Sequence, residues 1–155
     1  MIDLKLIQYL NERAENIKRS SIKLSDAWKE IDEILTPTCE KVGIVFVDNL
    51  VLHKTDNEED GITTYKMRIN KAGLSIQIDR YTCDGYEFEA IHDMNRTIRR
   101  KAIKRLPEFM DIYAKELDKL EIEAKETEEL AEKILNAIRA KPITKARRYK
   151  YGSLQ

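Results

Sequence analysis

Tyr65-Lys66-Met67-Arg68-Ile69-Asn70-Lys71-Ala72-Gly73-Leu74-Ser75-Ile76-Gln77-Ile78-Asp79 is the stretch that decides the fold. Tyr65, Met67 and Ile69 alternate with Lys66 and Arg68, and Leu74, Ile76 and Ile78 alternate with Ser75, Gln77 and Asp79. Side chains leave a strand on opposite faces in turn, so a period of two marks a strand with one buried and one wet face. Lys71-Ala72-Gly73 joins the runs as a short glycine-containing turn, which predicts an antiparallel hairpin.

Further strands are expected on both sides of this hairpin. Upstream, Ile44-Val45-Phe46-Val47 and Leu50-Val51-Leu52 are β-branched and apolar, and Asp56 to Gly61 reads as an acidic loop. Downstream, Asp84-Gly85 is a turn signal and Tyr86 to Phe88 a short strand. Residues 43–89 therefore predict an antiparallel meander of three or four strands. Its greasy face needs a cover, and the helix expected to start near Ala90 is the nearest candidate.

The flanks change period. From residue 2 to 36, Ile7, Leu10, Ala14, Ile17, Ser21, Leu24, Trp28, Ile31 and Leu35 recur at alternating spacings of three and four, the coiled-coil period. Ser25 is a candidate cap for a second helix, but the unbroken period favours one. Thr36-Pro37 is the expected end, because the residue before proline avoids helical geometry. Over residues 90–140, Ile91, Met94, Ile98, Ala102 and Leu106 form one stripe. Pro107 is expected to kink or restart the helix. Met110, Tyr113, Leu117, Leu120, Ala124, Thr127, Ala131, Ile134 and Ile138 then continue the repeat.

The fold class predicted is α+β: a three- to four-stranded meander flanked by long N- and C-terminal helices forming a helical hairpin or coiled coil. Residues 1–140 are expected to be one domain, followed by a basic tail at 141–155. Narrow seams containing Ala14, Ser21, Ala124 and Thr127 bury little in a two-helix pair, so homo-oligomerisation is expected. Leu10, Ile17, Leu24, Trp28, Tyr113, Leu117 and Leu120 are the expected interface positions.

Composition narrows the function. The 155 residues carry 28 basic and 28 acidic side chains, so no global field draws the chain to nucleic acid or membrane. Cys39 and Cys83 are too few for a disulfide framework. The apolar runs are too short for a membrane span, and the charged start does not resemble a signal peptide. The cytoplasm is the expected location.

Charge is unevenly placed. Arg96, Arg99, Arg100, Lys101, Lys104 and Arg105 occur with no acidic residue from Met94 to Pro107. At about 100° per residue, Arg96, Arg100 and Lys104 share one strip. Guanidinium groups bind carboxylate or phosphate in pairs of hydrogen bonds. The expected partner is an acidic protein surface, with nucleic acid the alternative; the plain reading is a solvated helix face. Lys145, Arg147, Arg148, Tyr149 and Lys150 form a second basic cluster with an aromatic ring, suited to single strands, against the plain reading of a solubilising tail.

Other chemistry finds little support. Asp56, Glu58, Asp60 and Gly61 occupy the early places of a calcium loop, but Met67 stands where its closing Glu belongs. Cys39, His53, Cys83 and His92 match no zinc spacing. Asp79 with Glu87 or Glu89 better suits the wet face of the sheet than an acid–base pair. Phosphate-binding glycine motifs and serine elbows are absent from the sequence. No catalytic residue, metal or cofactor is expected, and the reading is a non-catalytic adaptor or inhibitor. An enzyme with an unrecognised site near His53 and His92 is the remaining alternative.

Overall fold

The computed structural model describes residues 3–59, 61–82 and 84–141. Two long helices bracket an antiparallel sheet. The order is α1 (Leu4–Val42), β1 (Phe46–Val47), β2 (His53–Asn57), β3 (Gly61–Asn70), β4 (Gly73–Arg80), β5 (Tyr86–Ala90), a 3-10 turn (Ile91–Asp93) and α2 (Arg96–Ala140). Asp60, Cys83 and residues 142–155, for which the sequence raised expectations, lie outside the described residues.

The predicted hairpin is β3–β4, in register from Thr63 against Arg80 to Asn70 against Gly73. β5 continues the meander on β4. On the other side of β3, β1 and β2 share one edge, pairing with its end and its beginning respectively. The expected strand Leu50-Val51-Leu52 is not one. Residues 49–51 loop out between two backbone bonds that keep the edge attached, Asp48 N–H to the Met67 carbonyl at 2.8 Å and Leu52 N–H to the Tyr65 carbonyl at 2.7 Å. The apolar run misled because Leu50 and Val51 are exposed. The acidic loop also shrinks, with Asp56, Asn57 and Gly61 belonging to strands.

Pro37 and Pro107 sit inside helices, correcting the expected end of the first helix and restart of the second. Proline lacks a donor and crowds the carbonyl four residues back, so passing through it costs stability. In α1, continuing past Pro37 buries Cys39 and ends on Gly43, left-handed at φ 67, whose N–H donates to the Cys39 carbonyl at 2.9 Å. Burial and a glycine cap offset the proline. α2 begins later than expected because β5 and the 3-10 turn occupy residues 86–93.

The chain divides after Tyr113 into two compact units. In the first, Trp28, Met67, Ile69, Ile76, Ile98 and Phe109 are the largest fully buried side chains. α1 joins α2 in covering the sheet: the Asp32 carboxylate accepts the Leu74 N–H at 2.9 Å, so helix and hairpin turn are bonded directly. Phe46 meets the rings of Phe109 and Tyr113 at 5.6 and 5.7 Å. In the second unit, every described residue from Glu121 to Lys141 is exposed.

Candidate binding surfaces

The start of α2 is built around Asn95, whose side-chain oxygen accepts the Ile98 N–H at 3.0 Å and so caps the first turn. The six basic residues that follow separate into two groups. Arg99 folds inward. Its Nη1 donates to the Met94 and His92 carbonyls at 3.0 and 3.3 Å, and its Nη2 donates to Ser21 Oγ at 2.5 Å. The Trp28 indole donates to the Arg99 carbonyl at 3.2 Å. Arg99 thus pins α1 to the entry of α2.

Arg105 is also internal. Nε and Nη2 donate to the two carboxylate oxygens of Asp48 at 2.8 and 3.0 Å, and Nη1 pairs with Glu108. Asp48 is only 3% exposed and also accepts the Leu50 N–H at 3.0 Å, which shapes the looped-out segment. Burial pushes the Asp48 carboxyl up; the Arg105 hydrogen bonds, the Leu50 N–H and the guanidinium charge together outweigh it and hold it below the usual carboxylate value. The same Asp48 and Glu108 bonds push Arg105 further up, so it stays charged.

Arg96, Arg100, Lys101 and Lys104 remain exposed. Lys101 Nζ donates to His53 Nδ1 at 2.8 Å, and burial together with the Lys101 charge pulls His53 down, favouring neutral imidazole. Arg96, Arg100 and Lys104 make no ion pair or hydrogen bond among the described residues. A cleft of about 490 Å³ lies between α1 and the start of α2, its floor holding Ile17 and Leu24 and its walls Arg13, Arg96 and Arg100. Beside it, Thr97, Arg100, Lys101 and Lys104 line a shallower hollow of about 210 Å³.

The expected interface positions divide as well. Trp28 and Tyr113 are buried in the core of the first unit, so they are not free to anchor a partner. Leu10 and Ile17 are exposed, whereas Leu24, Leu117 and Leu120 are half-buried. Sequence reasoning missed Asp48 and Arg68. Asp48 signalled itself only as a lone charge inside the apolar stretch from Val42 to Leu52. Arg68 looked like any wet-face residue of an alternating strand, yet it is 5% exposed.

No family model, curated protein or solved structure matches this chain. It is an α+β protein with two long helices, and none of its described helices is long and apolar enough to cross a membrane.

Proposed function

We propose that the chain is a non-catalytic protein-interaction protein of the adaptor or inhibitor kind, which receives an acidic partner in the α1–α2 cleft and associates with further copies through its exposed helical faces. The carrying observation is the cleft itself: Ile17 and Leu24 lie among three arginines, Arg13, Arg96 and Arg100, none of which is paired with an acid among the described residues, Arg13 resting instead on the Tyr9 ring at 4.9 Å. Such a groove complements an amphipathic helix with acidic flanks, the apolar face giving affinity and the charges giving orientation. The non-catalytic reading is supported by the chemistry of the walls. Guanidinium groups stay protonated at neutral pH and so do not act as general bases. The buried carboxylate of Asp48 has both oxygens occupied.

Association is supported by the apolar side chains left open on both helices, including Leu4, Leu6, Leu10 and Ile17 on α1 and Ile122, Leu130, Ile134 and Ile138 on α2. The test compares the full chain with Arg96→Glu/Arg100→Glu and Leu6→Glu/Leu10→Glu, by light scattering and by quantitative capture from host lysate. The arginine pair should lose the captured partner at unchanged mass, and the apolar pair should lower the mass. A monomeric wild type at high concentration, together with capture indifferent to both pairs, would sink the reading. Capture of nucleic acid that disappears with the arginine pair would favour the strip as a phosphate-binding face instead.

A further inference from the structure

The face of the sheet opposite the core carries a second constellation. Register partners share a face, which places Lys54, Thr64, Lys66 and Arg68 together with Ser75, Gln77, Asp79, Tyr86 and Phe88. Arg68 stands on β3, while its guanidinium carbon lies 4.7 Å from the centre of the Tyr86 ring and 4.8 Å from that of Phe88, both on β5. The side chain therefore crosses β4 at Ser75, its register partner, where a small residue leaves room. The guanidinium holds both rings from beneath by cation–π attraction. The rings remain 53% and 57% exposed.

This arrangement leaves needs unmet. Arg68 is 95% buried (5% exposed), yet its Nε and Nη1 have no acceptor, and the buried Ser75 hydroxyl has no partner either. A buried cation without a counter-charge is costly, and such groups call for an unseen ion or ligand. Asp79 and Asp56 are the acids on this face; Asp79 is engaged by the Gln77 amide at 3.2 and 3.3 Å, and neither is bonded to Arg68. Glu87 and Glu89 point to the opposite face, and Glu87 is paired there with Arg80 at 2.8 Å.

We propose that this open face of the sheet binds single-stranded nucleic acid, with successive bases stacked on Tyr86 and Phe88 above the Arg68 guanidinium and the backbone held by Lys66 and Lys54. Two residues along a strand separate the rings by about 6.6 Å, which offers one platform per unstacked base. Rings with a free π-face accept any base, and flanking cations follow the phosphates. A duplex hides its bases and offers nothing for the rings to stack on. The inference is independent of the α1–α2 cleft, which lies on other elements.

Fluorescently labelled dT12 and rU12 are titrated into the full chain by anisotropy, with amide shifts followed in parallel. Expected are binding that weakens as salt rises, shifts on β3–β5, and a loss of about tenfold or more in Phe88→Ala, with affinity kept in Phe88→Trp. Lys66→Glu leaves the aromatic stack intact, so its loss of affinity keeps the test valid should Phe88→Ala unfold. Arg96→Glu/Arg100→Glu should bind normally. The proposal is overturned by no binding at low salt, by shifts confined to residues 96–104, or by equal affinity for a duplex. It is overturned equally if uridine monophosphate binds as tightly as the strand, or if an acidic peptide displaces the strand with equal affinity.

Discussion

At the scale of single residues, basic side chains that look alike in sequence do different work. Arg99 reaches Ser21, 78 positions away, and Arg105 reaches Asp48, 57 positions away. Local periodicity has no access to contacts of that separation, so it grouped both with their exposed neighbours. What it did place was the strip of Arg96, Arg100 and Lys104, because the angle per residue is a local property. The Asp48–Arg105 pair makes the sharpest stability test. Arg105→Ala strands a buried carboxylate and should cost about 3 kcal/mol by chemical denaturation, with Arg105→Lys recovering only part because an ammonium cannot grip both oxygens. The Asp48 carboxyl titrates lower in the folded chain than in the unfolded one, so its contribution is present above the unfolded value and lost as pH falls through the folded value. The stability gap between wild type and Asp48→Asn should therefore be constant from pH 7 to 5 and close below about pH 4. A gap that widens on acidification would contradict the assignment.

At the scale of elements, the β3–β4 hairpin was legible because a half-buried sheet writes its two faces into alternate residues. The edge opposite β5 was not, because Leu50 and Val51 are apolar without being buried, and composition cannot distinguish a loop that carries greasy residues from a strand that hides them. The ends of α1 and the continuity of α2 were misjudged for a related reason. A proline's cost is local and visible, whereas the burial of Cys39 or Phe109 that offsets it comes from tertiary contacts. Docking of α1 on the hairpin turn depends on Gly73, at φ 113. A Cβ there would strike the Asp32 carboxylate and approach the Thr36 hydroxyl to 2.9 Å. Gly73→Ala should destabilise by about 1–3 kcal/mol, through backbone strain and the lost Asp32 bond to Leu74. Thermal melts of Gly73→Ala and Asp32→Ala, singly and combined, check this; additive losses would show that the two residues do not act on the same contact.

For the whole molecule, the division after Tyr113 separates a unit with a core from a helical segment exposed throughout residues 121–141. An isolated helix of that length is marginal in water, and side-chain pairs such as Lys125 with Glu121 at 2.6 Å lend modest support. Amides of 121–140 should exchange orders of magnitude faster than those of Met67 and Ile76 in dilute solution, and should slow as concentration rises if copies associate. Truncation after Leu120 should leave the melting of the first unit within a few degrees of the full chain. The interrupted edge has a consequence for how the protein avoids fibrils. A foreign strand arriving at β1 and β2 meets a break at residues 49–51 and finds no straight template, which leaves β5 as the open side for growth. There, the antiparallel self-pairing centred on Phe88, which keeps the two faces in common and pairs all five residues, sets Glu87 against Glu89 of the other copy, and opposed like charges discourage the match. The sheet is thus guarded against itself on one flank by shape and on the other by repulsion.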